Sequence, residues 1–147
     1  MNEKPSLKKI LEEIYPLHRT LASEGTDQAL EIVGKYMPDA SNYQFESYAP
    51  GTKAWTWVVP ERYVVKEAYL ETEDGERIVD FADNPLHLLS YSLPMDEILS
   101  WEQIEKHLHF SEKFPDPIPW QFQYYNRTWG FCLSKNTFDQ LPRDKKY

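Results

Sequence analysis

The sequence predicts an α+β chain in which a small antiparallel β region lies between helical segments. Three patterns predict this. Apolar residues recur at three- and four-residue steps near the start, at Leu7, Ile10, Leu11, Ile14, Leu17 and Leu21. Period-two alternation, Pro-Gly and Asp-Gly dipeptides and paired tryptophans fill the middle. Capped, short helical patterns return in the last third. At 147 residues, 41% apolar and 27% charged, the chain fits one domain, or a domain with part of a neighbour, and is not disordered in composition.

The elements follow in order. Ser6 is the N-cap of the first helix, and Pro16, which has no N–H to donate, bends or divides it. Ser23 to Gly25 is a break. A second helix starts near Thr26, has Ala29, Ile32, Val33, Tyr36 and Met37 on its apolar side, and is closed by Pro38. Tyr43, Phe45 and Ser47 alternate with Gln44 and Glu46 as a strand does. Pro50-Gly51 turns the chain into the apolar run Trp55 to Val59, where a regular strand would place Trp55 and Trp57 on one face. Val64 to Thr72 and Arg77 to Phe81 read as a hairpin across Asp74-Gly75, with a two-residue type I′ loop. Asn84-Pro85 turns again before a strand from Leu86 to Leu93. Ser100 and Gln103 have the spacing of a capping box, and Leu99 and Ile104 that of a hydrophobic staple, for a helix from Trp101 to about His109. Three prolines make 114–120 an extended loop. Trp120 to Tyr125 and Thr128 to Leu133 read as strands, and Ser134 caps a last helix through Leu141.

Charge and composition exclude several functions. The net charge is −8, and the short basic clusters Lys8-Lys9 and Lys145-Lys146 lie near the ends. A nucleic-acid groove or an anionic membrane surface needs concentrated positive charge, so neither is an expected partner. One cysteine, Cys132, rules out an intrachain disulfide and a Cys-rich zinc site. Residues 1–9 lack the apolar core of a signal peptide, and no run reaches the length of a membrane span, so the expected compartment is the cytoplasm.

The chemically capable residues are few. His18, His87, His107 and His109 show no four-residue helical pairing, and His107 and His109, two apart on a helix, would diverge, so no metal site is expected within the chain. Cys132 lies in the apolar run Trp129 to Leu133 and reads as a small core side chain rather than a nucleophile. The carboxylates between Glu71 and Asp83 crowd a hairpin tip and read as a solvated face. The aromatics Trp55, Trp57, Trp120, Phe122, Tyr124, Tyr125 and Trp129 admit two readings: packing in a core or interface, or a stacking platform for sugars or peptides. No catalytic residue is expected. Tyr124, Tyr125 and Trp129, beside the proline-rich loop, are the candidate substrate-binding residues.

The order of segments resembles a known family. Arg19-Thr20-Leu21-Ala22-Ser23-Glu24-Gly25-Thr26 leads into the helix of Gln28, Ala29 and Leu30. Pro50-Gly51-Thr52-Lys53-Ala54-Trp55-Thr56-Trp57-Val58-Val59-Pro60 follows. Asn84-Pro85-Leu86-His87-Leu88-Leu89-Ser90-Tyr91-Ser92, Ile118-Pro119, Tyr124-Tyr125 and Trp129-Gly130-Phe131-Cys132-Leu133-Ser134 come later. As a set they resemble bacterial zinc-aminopeptidase-like proteins found in polysaccharide-biosynthesis contexts. The resemblance implies an α/β zinc-exopeptidase domain, a small inserted β-rich domain and a C-terminal winged helix. On that pattern residues 1–40 are a helical segment of the peptidase-like domain, 41–126 the inserted domain, and 127–147 a return strand and helix of an incomplete peptidase-like domain. The zinc of the full-length family, its peptide-like or glycan-linked small substrate and a homo-oligomeric state are likewise implications of the resemblance. The family's zinc ligands come after the stretch present here, so this chain would be non-catalytic by itself, its inserted domain bordering the substrate cleft or an oligomer interface. Two other functions fit the residues: a non-catalytic glycan- or peptide-binding β module, and a structural or interaction domain without a ligand.

Overall fold

A computed structural model describes residues 6–37, 43–123 and 125–147. The chain divides into two compact units, Met1–Val64 and Val65–Tyr147. Both mix helices with two-stranded sheets, so the α+β class holds.

In the first unit, α1 spans Leu7–Ile14, and the Ser6 hydroxyl accepts from the Lys9 N–H at 3.2 Å, as expected of an N-cap. The second helix, α2, spans Glu24–Lys35 and starts two residues earlier than predicted. Ser23, read as part of a break, is its N-cap: its Oγ accepts from the Thr26 N–H and donates to the Thr20 carbonyl at 2.7 Å. Gly25 sits in the first turn because a Cβ there would lie 2.2 Å from the His18 carbonyl oxygen. Pro38, the predicted stop, lies outside the described residues.

Residues 43–47 pair with no strand, contrary to the alternation. Instead the Tyr43 hydroxyl donates to the Leu30 carbonyl, and the ring lies against Gly34, where a Cβ would approach it to 2.5 Å. The predicted run from Trp55 to Val59 is the second half of a hairpin. Strand β1, Lys53–Ala54, pairs antiparallel with β2, Trp57–Val58. Trp55 and Thr56 form the loop, so Trp55 and Trp57 are not strand neighbours on one face. Trp55 has φ +53 and is fully exposed. Gly51, at φ +84, turns the chain into the hairpin.

The second unit holds the core. Strand β3, Tyr69–Glu71, pairs antiparallel with β4, Arg77–Asp80. Leu70 faces inward against Val79, and a bulge between Leu70 and Glu71 shifts the register. The connecting loop is not the predicted type I′ turn. Only Gly75 has positive φ, at +82, and its N–H donates to the Thr72 carbonyl at 2.8 Å. The Thr72 N–H then donates to the Glu76 carbonyl, so the loop has three residues, with glycine in the left-handed position that such loops demand.

The predicted strand from Leu86 to Leu93 is also absent. Pro85 is well suited to the first turn of a helix, and Asn84 Oδ1 accepts from the Leu86 N–H, giving a 3₁₀ turn over Pro85–His87. Single bridges at Leu88 and Ser90 follow, and Tyr91 at φ +62 interrupts any strand. The helix predicted from Trp101 to His109 is α-helical only over Trp101–Ile104, labelled α3. Gln103 Oε1 accepts from the Ser100 N–H at 2.9 Å, the expected back-bond. The chain then tightens to 3₁₀ over Glu105–His107 and becomes β5, Leu108–His109.

Of the two late strands predicted, 120–125 makes only a bridge from Phe122 to Ser90. The run 128–133 supplies the two-residue β6, Phe131–Cys132, parallel to β5. The final helix α4, Lys135–Gln140, is capped by Ser134 as predicted, with its Oγ accepting from the Thr137 N–H at 2.9 Å.

Leu70, Val79, Trp101, Ile104, Leu108, Leu133, Phe138, Leu141 and Tyr147 form one buried cluster. The chain's last residue is thus a core residue: the Tyr147 N–H and carbonyl pair with those of Leu99, and its hydroxyl donates to the Pro142 carbonyl. Residues of 127–147 and of 65–110 contribute to this core. No helix among the described residues is long and apolar enough to cross a membrane.

Candidate functional site

The candidate site lies in the second unit, around the run 128–133. This run is held from both sides. The Leu93 and Leu89 N–H groups donate to the Thr128 and Gly130 carbonyls, and the Leu133 N–H donates to the His109 carbonyl at 3.0 Å. Ser92 Oγ accepts from the Gly130 N–H at 3.2 Å and donates to the Leu89 carbonyl at 2.6 Å. Gly130 is a close-approach glycine: a Cβ there would lie 2.7 Å from the His107 carbonyl oxygen and 2.9 Å from His109 Nε2.

Three of the four histidines attend this run. His87 Nδ1 donates to the Cys132 carbonyl at 2.8 Å, and His107 Nδ1 donates to the Trp129 carbonyl at 3.0 Å. A carbonyl oxygen only accepts, so each ring carries its proton on Nδ1. The His107 ring also stacks on Trp129, with centroids 3.9 Å apart and planes 13° apart. Burial, then the neighbouring His107, push the His109 imidazole below its ordinary value of 6.5. His87 and His107 are therefore structural clamps on one backbone segment. On the predicted helix His107 and His109 would have diverged, but the switch to 3₁₀ and strand geometry brings both to Gly130.

Cys132 is fully buried, and burial pushes its thiol up to about 11. At neutral pH it stays protonated, which removes it as a nucleophile. Among the described residues, no group of three or more His, Cys, Asp or Glu side chains is placed to hold a metal ion. These residues do not fit a resident zinc: no three of their donor atoms converge on one point, and the Cys132 thiol is sealed.

The structure separates the candidate binding residues. Tyr124 lies outside the described residues. Tyr125 is exposed. Trp129 is half-buried, with one face on His107 and its edge against the core cluster. Two further exposed aromatics, Trp120 and Phe122, pack on each other with ring centroids 4.6 Å apart. They are anchored where the Gln123 N–H donates to the Ser90 carbonyl, next to the left-handed Tyr91. Tyr91 is a feature that sequence reasoning missed, because no composition signal marks a tyrosine at positive φ.

The sequence pattern of a domain of unknown function, DUF2172, matches residues 61–147. The chain belongs to the DUF2172 family. The matched stretch coincides closely with the second unit, which carries the core and the site.

A Clostridium acetobutylicum protein, provisionally named a polysaccharide biosynthesis protein with an aminopeptidase-like domain, is 33% identical over 135 residues. That match covers 92% of this chain and 30% of the relative. A crystal structure of a protein from the same organism, provisionally named a peptidase, superposes with a TM-score of 0.83 at 32% identity, over 94% of this chain and 32% of that one. The chain thus spans about a third of the length of the relatives it matches.

Proposed function

We propose that this chain acts as the N-terminal portion of an aminopeptidase-like zinc hydrolase and performs no hydrolysis by itself. One observation carries the reading: nearly the whole chain is similar, in sequence and in backbone, to about a third of proteins named for a peptidase role. Residues 41–126 serve as a β-rich insert beside the peptidase-type domain, and a winged helix completes the larger protein. Carbonyl polarisation and water activation, the chemistry that zinc supplies in such enzymes, then come from residues beyond this chain. The insert borders the substrate cleft, where Tyr124, Tyr125 and Trp129 contact a peptide-like or glycan-linked small substrate. The assembly is a homo-oligomer of the cytoplasm.

The exposed trio Trp120, Phe122 and Tyr125 favours a second reading, a non-catalytic glycan- or peptide-binding module. One experiment separates the two. The chain and the C. acetobutylicum relative are assayed together on aminoacyl nitroanilides, with and without a chelator. The hydrolase reading expects chelator-sensitive turnover by the relative and none by the chain, even with added zinc. Turnover by the chain alone overturns it. The binding-module reading expects glycan or peptide binding by the chain that survives chelation and is lost in Trp120→Ala.

A further inference from the structure

We draw no further inference here: the strongest candidate, the open apolar groove between α1 and α2 lined by Ile14, Leu21, Ala29, Leu30 and Val33, is a bare face of a chain that spans about a third of its relatives' length, and nothing in the structure shows what covers it.

Discussion

Replacing Gly130 with alanine should cost the second unit about 2 kcal/mol. Gly130 is not among the glycines with positive φ, so alanine fits its backbone dihedrals. Considered through the unfolded chain alone, the change would stabilise by about 0.4–1 kcal/mol. The surroundings reverse that sign. The added methyl would meet the His107 carbonyl oxygen at 2.7 Å and His109 Nε2 at 2.9 Å. The first is backbone, fixed by the 3₁₀ turn before it, and cannot swing aside as a side chain end would. Forcing a methyl into a packed region typically costs about 1–3 kcal/mol, and here the segments hydrogen-bonded to both sides of the 128–133 run must also yield. Urea titration followed by tryptophan fluorescence measures the change, with the His107–Trp129 stack contributing to the signal. The thermal midpoint should fall by roughly 10 °C, given a unit of this size. A Gly130→Ala chain within 0.5 kcal/mol of wild type would refute the claim that close approach, not conformational freedom, selects glycine here.

Other outcomes follow from the same geometry. Tyr147→Ala removes a ring packed on Trp101 and should destabilise by about 3 kcal/mol in the same titration. Cys132 should resist a thiol reagent at pH 8 in the native chain and react only on unfolding. Because its folded pKa lies above its unfolded one, its contribution to stability is complete below pH 9. It declines by about 1.4 kcal/mol per pH unit as pH rises toward 11. His109 works in the opposite direction. Burial holds it neutral, so the unfolded chain takes up a proton first, and stability should fall as pH drops below 6.5. A thermal midpoint that stays level from pH 7.5 to 5.5 would count against this, as would a His109→Gln chain with the same slope. Trp55→Gly should relieve the left-handed backbone and raise the stability of the first unit by about 0.5 kcal/mol, read by hydrogen exchange of the Gly51 and Val59 amides.

Local chemistry was legible where it is self-contained. Ser6, Gln103 and Ser134 announce helix starts because a cap or its back-bond needs only residues three positions apart. Inward-facing Leu70 and Val79 follow from alternation. Reading failed where long-range packing decides. His109 looks helical until Cys132 offers a parallel neighbour. Asp74-Gly75 suits a two-residue loop, but Asp74 keeps its φ negative and Glu73 is drawn into the loop, which Thr72 and Glu76 close. The division at Val64/Val65 carries no punctuation, since Val64-Val65 is an apolar pair inside an apparent strand. At the candidate site the aromatic richness was visible. What composition could not give was which rings face water, for Trp129 and Tyr125 differ only in what stands next to them in space.

The late closure of the second unit bears on how it is made in the cell. Glu73 bonds to Lys146 across 73 positions, and the Leu99 backbone waits for Tyr147. A nascent chain leaving the ribosome therefore shows the β3–β4 hairpin and the indole of Trp101 to the surrounding medium before α4 exists to cover them. Cooperative collapse of this unit therefore waits until Tyr147 has been added and can reach Leu99 and Trp101.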